Sequence, residues 1–252
     1  MKVIRKVEDN CINISNLDQK IYRIFRIDRF EQLIREQELV LVRPSMWEDP
    51  FENFFLKAEV DCGNNEVTTL DSLADSWYGQ CWTTEKDSDA MWRIYSQRKD
   101  GIRVSTTVRK LFEPIFNSIS TFKGTCYFVG KVKYLSEKDI INVMSNITFT
   151  GVALGGQSDN FAELLCIKRP EFSHEKEVRI LANDYDDTKG DQGFYRIPFD
   201  TNSLLEEICV DPRLCSSDAS ALMQKIQNLG VTTNIIQSPL YKVQNMPRIK
   251  LE

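Results

Sequence analysis

Glu175, Glu177 and Arg179 recur at two-residue spacing within K-R-P-E-F-S-H-E-K-E-V-R-I-L, residues 168 to 181. Read as a strand after the break at Pro170, the segment sends these two carboxylates and the guanidinium to one side, and Val178, Ile180 and Ala182 to the other. Carboxylates that share a face raise one pKa and leave the other ionised, the pairing that glycosyl-bond chemistry uses. The same alternation also fits the wet side of an antiparallel sheet, which would carry no chemistry. Two more polar stations precede it. Arg23 lies in I-Y-R-I-F-R-I, residues 21 to 27, on a strand face shared with Ile21, Phe25 and Ile27. A guanidinium among apolar neighbours is costly without a partner, so it should meet a carboxylate, with Glu52 and Glu177 as candidates, or an anionic ligand. The third station is C-W-T-T, residues 81 to 84, which offers the hydroxyls of Thr83 and Thr84.

The elements that must position these groups follow from periodicity and punctuation. A strand over 21–27 leads into a helix capped by Asp28, with Glu31 at the capping-box spacing, and then into a short strand over 39–42 ended by Pro44. The loop P-S-M-W-E-D-P-F-E-N-F-F, residues 44 to 55, is dense enough in aromatic residues to pack inward. A strand over 78–84 precedes a helix capped by Asp87 or Ser88, in which Met91, Trp92 and Tyr95 share a face. Strands are expected over 102–106 and 125–134, with helices over 108–118, interrupted near Pro114, over 137–144, and over 160–167. Residues 150–159 are the glycine-rich stretch suited to a lid. Strands over 194–199, 204–210 and 231–236, with a helix over 217–229 stopped by Gly230, complete the chain. One-sided strands alternating irregularly with helices predict an α+β fold with a mixed, largely antiparallel central sheet and flanking helices. We expect a single domain over 1–252, with 200–252 as a packed strand-helix-strand extension.

Composition narrows the chemistry. The 252 residues are 42% hydrophobic and 27% charged, with no apolar run near the roughly 18 to 20 residues of a membrane span, which predicts a cytoplasmic protein without a membrane partner. Seven scattered cysteines and a single histidine, His174, argue against a disulfide framework and a zinc site; no metal is expected. By alternation His174 points away from the carboxylates. The net charge of −5 weighs against a large nucleic-acid footprint without excluding a local one.

The motifs I-Y-R-I, P-S-M-W-E-D-P-F-E, M-W-R-I-Y-S with the turn at Gly101, and F-S-H-E-K-E-V-R-I together resemble a widespread bacterial domain of unknown function. That family shows an N-D-P-F-E loop, an L-M-W-x-x-Y-A helix and a W-x-x-E-x-E-x-R strand; here Glu48 replaces the Asn and Phe172 the Trp. The order of an arginine on the first strand, a hydroxyl-bearing middle strand and Glu-x-Glu also resembles ADP-ribosyltransferases, although W-T-T stands where those enzymes carry S-T-S. The resemblance implies an ADP-ribosyltransferase-like fold and NAD as substrate. It assigns Arg23 to the NAD diphosphate or ribose, Thr83 or Thr84 to the nicotinamide ribose, Glu177 to the oxocarbenium-like transition state, and Glu175 to the acceptor. Tyr22, Trp92, Tyr95 and Arg179 complete the expected cofactor-binding set, with Glu175 and Glu177 the catalytic pair.

Two readings follow. In the first, the protein is an enzyme that cuts or transfers at the glycosidic bond of NAD, as a toxin or phage-defence effector, onto an acceptor that the sequence does not name. In the second, it is a nucleotide-binding or protein-interaction module on a degenerate version of the same fold, its polar face an ion-pair network and its aromatics core. A metal-dependent nuclease using Asp49, Glu52, Glu175 and Glu177 is a poorer match. The first reading needs Arg23, Thr83 and Glu177 to converge on one open cleft; the second fills that cleft with side chains.

Overall fold

The structure is a computed structural model. It describes residues 6–47, 49, 59–61, 67–69, 74–118, 125–145, 159–185, 190–242 and 248. In chain order its strands are β1 (Cys11–Ile12), β2 (Lys20–Phe25), β3 (Glu38–Val42), β4 (Glu59–Asp61), β5 (Val67–Thr69), β6 (Trp77–Thr83), β7 (Ile102–Thr107), β8 (Thr125–Lys131), β9 (Lys133–Tyr134), β10 (Ile167–Lys168), β11 (Glu177–Asp184), β12 (Phe194–Pro198), β13 (Glu207–Val210) and β14 (Ile235–Gln237). The helices are α1 (Ile27–Glu36), α2 (Asp89–Tyr95), α3 (Val108–Asn117), α4 (Glu137–Ser145), α5 (Asp159–Leu164), α6 (Thr201–Leu204) and α7 (Ser216–Gln227). No helix among the described residues is long and apolar enough to cross a membrane.

The fold is α+β, as the one-sided strands imply. Its main sheet runs β1-β8-β11-β6-β2-β7-β13-β14, with β3 and β12 branching from β6. Every pairing is antiparallel except β1 with β8 and β13 with β14. One face of the sheet carries Ile21, Phe25, Trp82, Val104, Val178 and Ile180 against Phe30, Leu33 and Ile34 of α1 and Leu111, Phe112 and Ile115 of α3. The other carries Trp77, Phe128 and Leu181 against Phe161, Ala162 and Leu164 of α5.

The feature that positions the site is a fork at β6. Along one edge β6 pairs with β11 from Trp77 to Thr83. Along the other it meets β3 at the pair Val42↔Gly79 and β2 at the pair Tyr22↔Thr83. Between these two contacts residues 80–82 have no neighbouring strand on that side among the described residues, and β2 and β3 diverge around the opening.

Several expectations from sequence need correction. The strand bearing the carboxylates starts at Glu177; Pro170–Glu175 is a 3-10 turn, ended by Lys176 at φ 43°. Pro170 at its first position presets φ for a helical turn. Glu175 therefore reaches Glu177 through a turn and not by strand alternation. β11 is buried along its whole length, so its polar face is not a wet one. Helix α1 begins at Ile27 with no side-chain cap, and Asp28 instead pairs with Arg26 at 3.1 Å. Helix α3 runs through Pro114, because its buried Leu111, Phe112 and Ile115 hold it to the sheet. The expected strand over 204–210 is preceded by α6, which Asp200 caps by accepting from the Asn202 and Ser203 amides. The strand over 125–134 breaks at Val132, whose amide donates to the Glu177 carbonyl at 3.0 Å. The helix over 160–167 stops at Leu164, and β10 follows. The hairpin of β4 and β5 was not legible. Most of the 44–55 loop and of the 150–159 stretch, including Glu48 and Glu52, lies outside the described residues. By contrast α2 is capped by Ser88, as expected.

Gly130 on β8 packs face-on against Cys166, and a Cβ added there would overlap the Cys166 sulphur. Gly130→Ala is therefore expected to lower stability by roughly 1 to 3 kcal/mol. Pairing it with Cys166→Ala should make the double variant more stable than the sum of the two single changes, as read by urea denaturation; a strictly additive result would refute the contact.

Candidate functional site

Strand register places Tyr22, Thr83 and Glu177 in one row across β2, β6 and β11. Directly paired residues of neighbouring strands project to the same face, so the row is a consequence of pairing alone. Arg179 follows Glu177 on that face, opposite Cys81. Two of the three stations picked out by type and spacing, Thr83 and Glu177, are thus adjacent in the sheet, while Arg23, next to Tyr22 on β2, starts from the opposite face.

The carboxylates sit in a dry network. Arg179, fully buried, donates from Nε and from its terminal nitrogen to both Glu177 oxygens at 2.9 Å, and from its other terminal nitrogen to the Leu165 carbonyl at 2.6 Å. Its guanidinium lies 4.3 Å from the Trp47 ring centroid. Lys168 Nζ lies 2.6 Å from Glu175 and 3.5 Å from Glu177, so a cation separates the two like charges. The mutual repulsion expected of the pair is thereby relieved. Burial by itself raises the Glu177 pKa; Arg179, then Lys168 and the Cys81 thiol, outweigh it and hold the carboxyl down at about 2. At neutral pH Glu177 is thus an ionised, fixed negative charge. Burial meanwhile pushes the Cys81 thiol well up, so it stays protonated and donates to that carboxylate.

The two threonines hold the turn that presents these groups. Thr83 Oγ1 donates to the Glu175 carbonyl at 2.5 Å and accepts from the Glu85 amide at 2.9 Å, and Thr84 Oγ1 donates to the Lys176 carbonyl at 3.3 Å. Tyr134, a residue not singled out from sequence, accepts the Glu177 amide at 2.9 Å. Lys168 was missed as well. It stands in the same sequence segment as the carboxylates, but its return through the 3-10 turn leaves no periodic signal.

Arg23 occupies the fork. Its guanidinium donates to the carbonyl of Cys81, in the stretch of β6 that has no neighbouring strand, and stacks 5.0 Å from the Phe25 centroid. Its Nε is buried without a hydrogen-bond partner, and among the described residues no carboxylate pairs with it. Burial pulls its pKa below the ordinary value, while Cys81, Tyr95 and Glu177 act in the opposite sense. Arg23 opens onto a cleft of about 720 Å³ whose wall includes Gln80, Tyr95, Arg26, Arg29, Arg98 and Arg196. Tyr95 joins the cleft to the carboxylates: its hydroxyl donates to Glu175 at 3.3 Å, and burial raises its pKa, keeping it a donor.

Thr83 and Glu177 are 5% and 3% exposed and do not line this cleft. Nor do Tyr22 and Trp92. Both rings lie against Arg103, at 5.4 and 5.9 Å, and the Trp92 indole donates to Asp87 at 2.9 Å. Arg103 is itself buried and paired with Asp87 at 2.8 Å and Glu207 at 2.9 Å. His174 is exposed and lies on the 3-10 turn, so strand alternation does not decide where it points. Among the described residues no group of three or more His, Cys, Asp or Glu side chains comes together to hold a metal ion.

Residues 91–180, from α2 to the strand that carries Glu177 and Arg179, match a family described as Protein of unknown function (DUF2971). No curated protein matches the chain. Among solved structures, Thermus sp. 2.9 DarT in complex with ADP-ribosylated ssDNA is similar at 13% identity, over 88% of this chain and 94% of that chain, with a TM-score of 0.41. The same Thermus protein in complex with NAD+ gives 12% identity, 89% and 98% coverage, and a TM-score of 0.38.

The ion pair predicts a pH signature. The Glu177 pKa falls from an ordinary 4.5 to about 2, so the carboxylate contributes stability above pH 4.5 that is lost as the pH falls towards 2. Glu177→Gln leaves Arg179 buried without its countercharge, at a cost of roughly 3 to 5 kcal/mol near neutral pH. The gap in unfolding free energy between native protein and variant should narrow between pH 4.5 and pH 2. Urea titrations across that range check it; a gap that does not change with pH would contradict the assignment.

Proposed function

We propose that the protein is an ADP-ribosyltransferase-like enzyme, which takes a nicotinamide dinucleotide into the arginine-lined cleft and acts at its glycosidic bond. The observation that carries this reading is the fork at β6. There the Arg23 guanidinium, which has no carboxylate partner among the described residues, opens onto a dinucleotide-sized cleft beside the row that ends in the ionised Glu177.

The chemistry follows from the charges. When the bond between C1′ and the nicotinamide nitrogen breaks, its electron pair leaves with the now neutral nicotinamide, and positive charge develops on the ribose. A carboxylate already ionised and already held in place stabilises that charge without reorganising. Glu177 meets both conditions, since Arg179 fixes its two oxygens. Arg23 would hold the diphosphate, and Glu175, between Lys168 and Tyr95, would orient the acceptor. Such an activity is of the kind used by toxins and phage-defence effectors.

A second reading is favoured by one specific observation: both Glu177 oxygens are taken by Arg179, and the carboxylate is off the cleft wall. On that reading the protein binds the nucleotide without chemistry, and the pair only stabilises the sheet.

Calorimetric titration with NAD, run beside an assay for released nicotinamide, separates the two. The enzyme reading expects binding and release, with release lowered on the order of 100-fold in folded Glu177→Gln. The binding reading expects heat of binding and no nicotinamide. Arg23→Ala should weaken NAD binding by about 10- to 100-fold in either case, the scale of one charge-assisted hydrogen bond. Absence of both binding and release would remove both readings.

A further inference from the structure

The charge of the cleft is opposite to that of the chain. The protein carries a net −5, yet the cleft wall presents five arginines, Arg23, Arg26, Arg29, Arg98 and Arg196, against two carboxylates, Glu38 and Asp100. Two of the arginines already have countercharges: Arg26 lies 3.1 Å from Asp28, and Arg196 lies 3.8 Å from Glu38. Arg29 donates to the neutral Gln32 amide oxygen at 2.8 Å. Among the described residues neither Arg23 nor Arg98 pairs with a carboxylate. Among the described residues three guanidiniums therefore face the cleft without an ion-pair partner, against one carboxylate of the wall, Asp100, that is also unpaired.

A nicotinamide dinucleotide brings two negative charges on its diphosphate, and its own pyridinium offsets one of them. That leaves the cationic wall under-matched. We propose that the cleft is built for a nicotinamide dinucleotide that bears a third phosphate, as on the adenosine 2′ oxygen, in preference to the unphosphorylated form. The inference rests on the functional reading above, which puts a nicotinamide dinucleotide in this cleft.

The placement of the three arginines divides the ligand. Arg23 is fixed in the fork by the Cys81 carbonyl, beside the row that leads to Glu177, and so belongs to the diphosphate end near the reacting ribose. Arg29, on α1, and Arg98, in the turn after α2, are exposed and stand on separate elements of the wall. A phosphate monoester carries close to two negative charges and accepts forked hydrogen bonds from guanidinium groups, so it takes two such arginines where a ribose hydroxyl would leave them idle. In the Rossmann fold a nearby arginine accommodates a 2′-phosphate in the same way. A cleft of about 720 Å³ is the size of a small-molecule site, which favours a dinucleotide over a long polyanion.

The test is isothermal titration of the intact protein with 2′-phosphorylated NAD and with NAD at one ionic strength. The phosphorylated form should bind about 10-fold tighter or more, the scale of one added charge-assisted contact. Arg29→Gln and Arg98→Gln, both changes at exposed positions, should each shrink that ratio, and together bring it near one. Arg35→Gln, at an exposed arginine of α1 that does not line the cleft, should leave it unchanged. If NAD binds and the phosphorylated form is no tighter, the inference falls and the functional reading stands; if neither binds, both fall. A preference that survives the double change overturns the inference, as does displacement of the bound dinucleotide by a single-stranded oligonucleotide at a lower concentration than NAD needs.

Discussion

A backbone group inside a protein must be paired, and the centre of this sheet is where pairing is hardest to satisfy. β6 is bonded along one edge for its whole length and on the other edge only near its two ends. Side chains complete what strands do not: Arg23 donates to the Cys81 carbonyl, and Gln80 Nε2 donates to the Val40 carbonyl of β3 at 3.1 Å. Because the fork is closed by a guanidinium and an amide and not by a strand, it leaves a polar opening where a continuous sheet would be dry. The cleft exists because the sheet divides there.

The same face shows how the chain tolerates several buried charges. Three buried or half-buried arginines come with an anion and with a carbonyl acceptor for a further donor. Arg179 has Glu177 and the Leu165 carbonyl; Arg103 has Asp87, Glu207 and the Lys86 carbonyl; Arg213 has Asp211 and the Trp92 carbonyl. Removing one partner of such a set costs far more than the set contributes to stability. These networks consequently fix geometry: they hold the Glu177 carboxylate where strand pairing has put it. Arg23 departs from that pattern, since it has a carbonyl but no anion among the described residues.

Much of this was legible in the sequence, for identifiable reasons. Period-two alternation located β2, β6 and the body of β11, and the arginine among apolar residues marked the fork, because its cost is a local property of one strand face. What the sequence hid depends on contacts between distant segments. Nothing in the spacing of Glu175 shows that a 3-10 turn, and not a strand, carries it, or that Lys168 folds back between the two carboxylates. Trp92 and Tyr22 read as ligand-facing from motif position, yet Arg103, a residue with no motif around it, takes both rings. The cleft's other arginines were invisible too. Arg26 and Arg29 open α1, Arg98 follows α2, and Arg196 lies on β12, so only the tertiary fold makes them one surface.

Tyr95 is where the dry network and the wet cleft meet. It is 43% exposed on the cleft wall, yet its hydroxyl is bonded to the buried Glu175. Glu175 is in turn held by Lys168, which also lies within reach of Glu177. A ligand ring laid against Tyr95 would therefore sit on the first member of a chain of three contacts that ends at the ionised carboxylate. The Tyr95 hydroxyl remains a donor because burial raises its pKa. Tyr95, on α2, thus links the cleft wall to the buried carboxylates.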